Sequence, residues 1–282
     1  MTAKVWFITG TSTGFGRELV EALIARHEKV VATARNLTKI ADWQNQPNVL
    51  LATVDVTKPE QIKTALTAAV AKFGRIDVLV NNAGWGYFGA VEESDDTQVR
   101  RMMETNFWGV SNVTRAVLPI MRQQKHGYIM NITSIAGLLG NPAFGYYNAT
   151  KHAVEGLMKA LRQEVAPLGL HITNIEPGPF RTDWAGRSHV GATALIADYA
   201  QTAHVRRQQT ETHSGQQAGS PALLAQAMIK LSQVTKPPFH FIAGQNAFDR
   251  MQVELTQEQQ DFDQWQADST HLNYGDEAYW QK

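Results

Sequence analysis

The sequence predicts an α/β fold, a doubly wound parallel sheet of about seven strands with helices on both faces. Three observations predict it. Short β-branched runs alternate with longer stretches of helical spacing along most of the chain. The first such run, residues 5–9, is continuously apolar, as a strand covered on both faces is, and Gly10 closes it just before a helix. Of the 282 residues, 43% are hydrophobic and 18% charged, which is ample for one large core.

Residues 5–9 form the first strand, and residues 16–27 follow as a helix with Leu19, Val20, Leu23 and Ile24 on one face. Residues 29–34 and 49–54 are the second and third strands. A helix over 62–73 turns Ile62, Leu66, Ala69, Val70 and Phe73 inward, and residues 76–80 return as a strand. Residues 97–121 read as one long helix ending near Pro119 or soon after. A fifth strand spans 128–133, a helix 146–165, and a sixth strand 170–175, closed by Pro177-Gly178. After Pro179 the pattern weakens. Residues 185–220 are polar and rich in Gly, Ser, Gln and Thr, so they are expected as a substrate lid, weakly ordered without ligand. Helix 221–231 and strand 239–243 complete the domain, residues 1–253. The tail, 254–282, is acidic and Gln-rich with Phe262, Trp265, Tyr274, Tyr279 and Trp280, aromatics expected to pack a terminal helix on the body.

Composition removes several classes. Lys plus Arg is 26 and Asp plus Glu is 26, so the basic surplus of a nucleic-acid binder is missing. With no cysteine there are no disulfides, thiolate catalysis, zinc ribbons or iron–sulfur clusters. No uncharged apolar run approaches the roughly 18 residues of a membrane span. Val5-Trp6-Phe7-Ile8 is too short for a signal-peptide core, so a cytoplasmic protein is expected. The nine histidines form no metal pair, and no metal is expected. Arg206-Arg207 reads as a solvated basic pair.

The chemistry begins at Gly10-Thr11-Ser12-Thr13-Gly14-Phe15-Gly16, between the first strand and the first helix. Glycines there permit a tight turn and close backbone approach to a pyrophosphate, and the helix start offers unpaired N–H groups. A second glycine pattern, Gly84 to Gly89, opens no helix. It reads as a wide loop bordering the site, with the helix start at Ser94, Asp95 and Asp96. In dinucleotide-binding units an acidic residue after the second strand holds the NAD ribose. Here Ala34-Arg35-Asn36 stands in that place, and Arg35 would pair with a 2′-phosphate, so NADP(H) is favoured with NAD(H) possible.

Tyr147 and Lys151 are four apart in a helical segment and share a face. A phenol titrates near 10, and a neighbouring ammonium with a cationic nicotinamide ring would draw it down into a useful proton donor or acceptor. Ser134, just past the fifth strand, could hold a carbonyl or carbinol oxygen beside Tyr147. Asn106, a poor helix former inside a helix, could bind a water relaying protons toward Lys151.

Together these residues resemble the short-chain dehydrogenase/reductase family, over about residues 4–183 with weaker echoes to about 247. The shared marks are Thr9-Gly10-x-x-x-Gly14-x-Gly16, Asn81-Asn82-Ala83-Gly84, Asn106, Ser134, Tyr147-x-x-x-Lys151, and Pro177-Gly178 with Thr182. The resemblance implies a Rossmann-type fold and a catalytic tetrad. Tyr147 is the acid/base, Lys151 lowers its pKa and holds the nicotinamide ribose, Ser134 orients substrate, and Asn106 supports the relay. It implies Asp55 and Val56 at the adenine, Asn82, Ala83 and Gly84 along the cofactor, and Thr182 at the carboxamide. The stretch 176–183 is similar to the branch with 17β-hydroxysteroid and retinol dehydrogenase relatives. Trp85, Tyr87, Phe88, Ile135, Leu138, Leu139, Phe144 and Trp184 would line an apolar pocket for a hydrophobic ketone, aldehyde or secondary alcohol. Family members commonly form homodimers or homotetramers through helices corresponding to 98–123 and 146–165. An NAD-dependent alcohol dehydrogenase, a non-redox enzyme on the same scaffold and a dinucleotide sensor are the other readings.

Overall fold

The computed structural model describes residues 3–186 and 189–281. Among the described residues nine strands run in chain order: β1 (Val5–Ile8), β2 (Lys29–Ala34), β3 (Val49–Thr53), β4 (Val78–Asn81), β5 (Gly86–Phe88), β6 (Gly127–Ile132), β7 (Leu170–Pro177), β8 (His189–Gly191) and β9 (His240–Ala243). Seven form one parallel sheet in the order β3-β2-β1-β4-β6-β7-β9, and β5 pairs with β8 in a small parallel sheet of its own. Between them run α1 (Gly14–Ile24), α2 (Pro59–Phe73), α3 (Asp96–Met103), α4 (Gly109–Gln124), α5 (Gly145–Val165), α6 (Val205–Thr212), α7 (Pro221–Leu231) and α8 (Gln245–Thr270).

The two-residue period of a strand sorts the apolar runs onto two faces. Trp6 registers with Val30 and Val78, and with Ile8 they pack against Leu19, Leu23, Leu224 and Met228 of α1 and α7. Phe7 registers with Val31 and Leu79, which meet Ile62, Val113, Val117, Val154 and Met158 of α2, α4 and α5. Burial of each such side chain contributes about 1.5–3 kcal/mol. Pro59 opens α2, and Gly74, with φ 78°, closes it. Strand order reverses at β1, whose neighbours are β2 and β4, so the crevice beyond their carboxyl ends is where a ligand binds in such a sheet.

The structure departs from the sequence expectation in three places. The long helix runs from Asp96 to Gln124 but is interrupted by a π turn over Glu104–Trp108, which contains Asn106.

The described part of residues 185–220, a segment expected to be weakly ordered, folds against the body, with residues 187 and 188 outside the described residues. β8 pairs with β5, and Ala192 and Ala203 are buried. Glu93 Oε1 accepts the Ile196 N–H at 2.6 Å and lies 2.6 Å from His204 Nε2, while Tyr199 donates to Glu92 at 2.6 Å. The polar composition that reads as flap serves these ties.

Residues 254–281 of the tail are mostly exposed. α8 has 26 residues, about 39 Å of helix, against four residues in the strand before it, so it outruns the sheet. Among its described residues only Ala247 is buried, and Phe262 and Trp265 are 67% and 59% exposed. The segment after α8 turns back on the helix end itself. The Tyr279 ring stacks 4.1 Å from His271, and the Trp280 indole donates to the His271 carbonyl at 2.6 Å.

Candidate active site

The glycine turn is fixed by contacts that leave its inner face bare. Thr9 Oγ1 accepts the N–H groups of Asn82 and Ala83 at 2.9 and 3.0 Å, and Asn82 Nδ2 donates to the carbonyls of Thr9 and Gly10 at 2.8 Å. A side chain at Gly10 (φ +69°) would meet Ala83 Cα at 2.9 Å, and one at Gly16 would meet the Gly10 carbonyl at 2.6 Å. Thr13 precedes α1 without capping it through its side chain, so the first N–H groups of α1 are left to another acceptor. Both features fit a phosphate-bearing ligand.

From this turn a cavity of about 1250 Å³ extends along the carboxyl ends of the strands. That exceeds the roughly 300–1,000 Å³ of a single small-ligand pocket and suits a long ligand beside a second one. Every catalytic and cofactor residue named from the sequence lines it except Gly16 and Asn106, which stand just behind its wall. At one end lie Arg35, Asp55 and Val56. Burial works to raise the Asp55 pKa, but two hydrogen bonds from Thr57 and the charges of Arg35 and Lys58 hold it below the ordinary value.

The middle of the cavity holds Ser134, Tyr147 and Lys151, with Asn106 just behind them. Tyr147 and Lys151 sit one turn apart on α5, both buried, with Lys151 Nζ 5.8 Å from the Tyr147 ring centroid. That ammonium donates to the Ile132 carbonyl at 2.8 Å. Ser134 Oγ accepts the Ala136 N–H at 3.0 Å and lies 3.5 Å from the Pro177 carbonyl. Asn106, in the π turn, joins its amide to the backbone of Trp85 and lies 3.3 Å from Thr150 Oγ1. A Cβ built on Gly84 would stand 3.2 Å from Asn106 Oδ1 and 3.9 Å from Lys151 Nζ, so the two side chains converge there.

Burial pushes the Tyr147 phenol above its ordinary value, with the Ser134 hydroxyl working against it. The downward pull of a neighbouring ammonium, expected from the sequence, does not emerge from the protein groups alone. Lys151 itself is drawn down to about 8 by burial, with the Glu155 carboxylate opposing.

Behind Lys151 lies a buried acidic pair. Glu155 accepts from Asn174 at 2.5 Å; Glu176 lies 2.7 Å from His240 Nδ1 and accepts the Phe241 N–H at 2.8 Å. Burial, and then the Glu155 charge, push Glu176 up to about 9. A carboxyl held neutral so far up the scale is a hydrogen-bonding partner for His240 rather than an anion.

Beyond Tyr147 the wall is aromatic. Trp184 packs 5.0 Å from the Tyr147 ring and is stacked on Phe144 at 6.3 Å. Trp85, Ile135, Phe144 and Trp184 face the cavity. Tyr87, Phe88, Leu138 and Leu139 do not line it and pack behind, in the clusters that support it. Sequence reasoning missed Arg101, Asn141, Arg206 and Arg250, which also line the cavity. Arg206-Arg207 is not a solvated pair: both are partly buried, Arg206 over the Phe144 ring at 5.8 Å and Arg207 bonded to Glu211 and the Ala192 carbonyl. No local pattern marks them, because their inward facing depends on how α6 lies over the cleft.

A family model described as short chain dehydrogenase matches residues 4–190. Oxidoreductase BOA17 of Botryotinia fuckeliana is 37% identical over 249 residues, 87% of this chain and 90% of its own. A 3-ketodihydrosphingosine reductase of Bacteroides thetaiotaomicron is 35% identical over 245 residues, 86% and 89% of the two chains. A short-chain dehydrogenase from Streptomyces avermitilis has a TM-score of 0.89 at 34% identity, covering 97% of this chain and 100% of its own. One from Burkholderia phymatum, solved in complex with NAD, has a TM-score of 0.77 at 25% identity, covering 90% and 95%. ElxO with NADP bound has a TM-score of 0.70 at 28% identity, covering 86% and 96%.

Proposed function

The chain belongs to the short-chain dehydrogenase/reductase family, and from that premise we propose that it is an NADP(H)-dependent oxidoreductase acting on a hydrophobic ketone, aldehyde or secondary alcohol. The observation that carries this reading is the meeting of Ser134, Tyr147 and Lys151 in the same cleft that begins at the glycine turn. A nicotinamide dinucleotide, when bound, supplies the hydride chemistry.

The protein's own groups do the rest. The Gly10–Gly16 turn and the start of α1 hold phosphate, and Arg35 favours a 2′-phosphate over a bare ribose hydroxyl. Thr182 and Lys151 are the candidates for the nicotinamide end of the cofactor. In the reducing direction Ser134 donates to the substrate oxygen, and Tyr147 delivers a proton to that oxygen as charge develops on it. The Lys151 charge favours the phenolate left behind, and Asn106 supports the path by which the proton is replaced. Residues 185–220 roof the pocket and exclude water. A cytoplasmic homodimer or homotetramer formed through α4 and α5 completes the reading, which includes no nucleic acid.

A panel of carbonyls and alcohols followed at the nicotinamide absorbance tests it. Tyr147→Phe is expected to lower turnover by about a hundredfold or more at unchanged melting temperature. Full turnover in that variant overturns the mechanism.

A further inference from the structure

Two partly buried arginines, Arg206 and Arg250, line the cleft, and neither is used by the chemistry above. Arg206, on α6, lies over Phe144, the ring that stacks on Trp184 beside Tyr147. Arg250, on α8, donates to Asn141 Oδ1 at 2.6 Å. Among the described residues neither has a carboxylate within ion-pair distance. Burial, with the nearby Arg250 charge, lowers the pKa of Arg206. Two like charges that act on one another in a partly buried cleft are unfavourable unless an anion joins them. A guanidinium fork matches carboxylate or phosphate oxygens in two parallel hydrogen bonds. Both residues lie beyond residue 190, where the family model ends.

We propose that Arg206 and Arg250 bind an anionic head group, so that the substrate is an amphipathic acid: an apolar body carrying the reacting carbonyl or alcohol, ending in a carboxylate or phosphate. This rests on the oxidoreductase reading and names its substrate class. Successive spacings of 5.0, 6.3 and 5.8 Å lead from the Tyr147 ring through Trp184 and Phe144 to the Arg206 guanidinium. The Arg206 guanidinium meets the Phe144 ring and not that of Tyr147, so the inference sets the acid across the apolar body from the carbonyl. A cationic head group of the same length is repelled.

The test compares a medium-chain oxo acid bearing its ketone near the methyl end with its methyl ester and with the matching oxo amine. The acid is expected to exceed the ester in kcat/KM by about tenfold to a hundredfold, mainly through KM, with the amine poorest. In Arg206→Gln/Arg250→Gln the acid-to-ester ratio should fall to near one, and Arg206→Lys should restore part of it. Equal use of acid and ester by the wild-type protein overturns the inference and leaves the oxidoreductase reading standing.

A binding arm separates the two. Decanoate, decyl phosphate and decanol are titrated against tryptophan fluorescence, in wild type and in double variants checked for an unchanged melting temperature. Arginine-dependent preference for an anion over decanol supports the inference even if no carbonyl is reduced, and the tighter anion names the head group. Equal binding of all three overturns it.

Discussion

The amide of Asn106 satisfies both backbone groups of one residue, Trp85: Oδ1 accepts its N–H at 3.0 Å and Nδ2 donates to its carbonyl at 2.8 Å. Helix and cleft wall are thus joined by one side chain, 1% exposed, inside a π turn. Extra-residue turns of this kind recur at functional sites because they re-aim the side chains they carry. Asn106→Ala leaves both Trp85 groups without their partner and should cost about 1–3 kcal/mol in chemical denaturation, with a raised substrate KM. Asn106→Asp should recover only the accepting half. A variant that denatures and binds as wild type overturns this role.

Lys151 holds a proton only up to about 8, so the cationic form is lost in the mildly alkaline range. Dinucleotide affinity, measured directly by fluorescence titration, is expected to be level below that pH and to weaken above it. Lys151→Arg should carry the level region to higher pH, and Lys151→Ala should weaken binding at every pH.

Glu176 is raised from 4.5 to about 9, so the folded chain keeps a proton that the unfolded chain has released above 4.5. Its contribution to stability is present in full below 4.5 and declines as pH rises toward about 9. Around it stand Glu155 and His240, with Lys159 and Arg162 acting on His240. Melting curves across this range should show Glu176→Gln gaining on the wild type as pH rises. Parallel curves would mean that Glu176 ionises normally.

Arg35 stands where an acidic residue would hold the NAD ribose. Arg35→Ala should raise KM for NADPH by about tenfold or more and leave that for NADH nearly unchanged. A wild-type preference for NADH removes the assignment.

The sheet was legible because its evidence is local. An apolar run closed by glycine and followed by a helical period names β1, its turn and α1 without knowledge of the remainder. Tyr147 and Lys151 were legible for the same reason, a four-residue spacing on one helix. β5 and β8 were not, since each has three residues and exists by pairing with a segment about a hundred positions away. The π turn left no trace because it changes a hydrogen-bond register and not a composition. The roof misled because polar side chains suggest solvent, while Glu92 and Glu93 turn theirs into ties for Tyr199, Ile196 and His204. Arg206 and Arg250 face inward through tertiary placement alone.

Because every neighbour in the main sheet is parallel, no strand can pair with the next through a tight hairpin. The nearest pairings already span 20 residues or so, as Lys29 with Val49's strand, and Asn174 must wait for His240. Such non-local closure is slow, and hydrophobic strand edges stay open while it proceeds. A chain emerging from the ribosome can assemble β1, β2, β3 and β4 early, but β7 gains its second neighbour only after residues 240–243 have been made. Slow refolding from denaturant and sensitivity to aggregation along the way follow from the strand order itself.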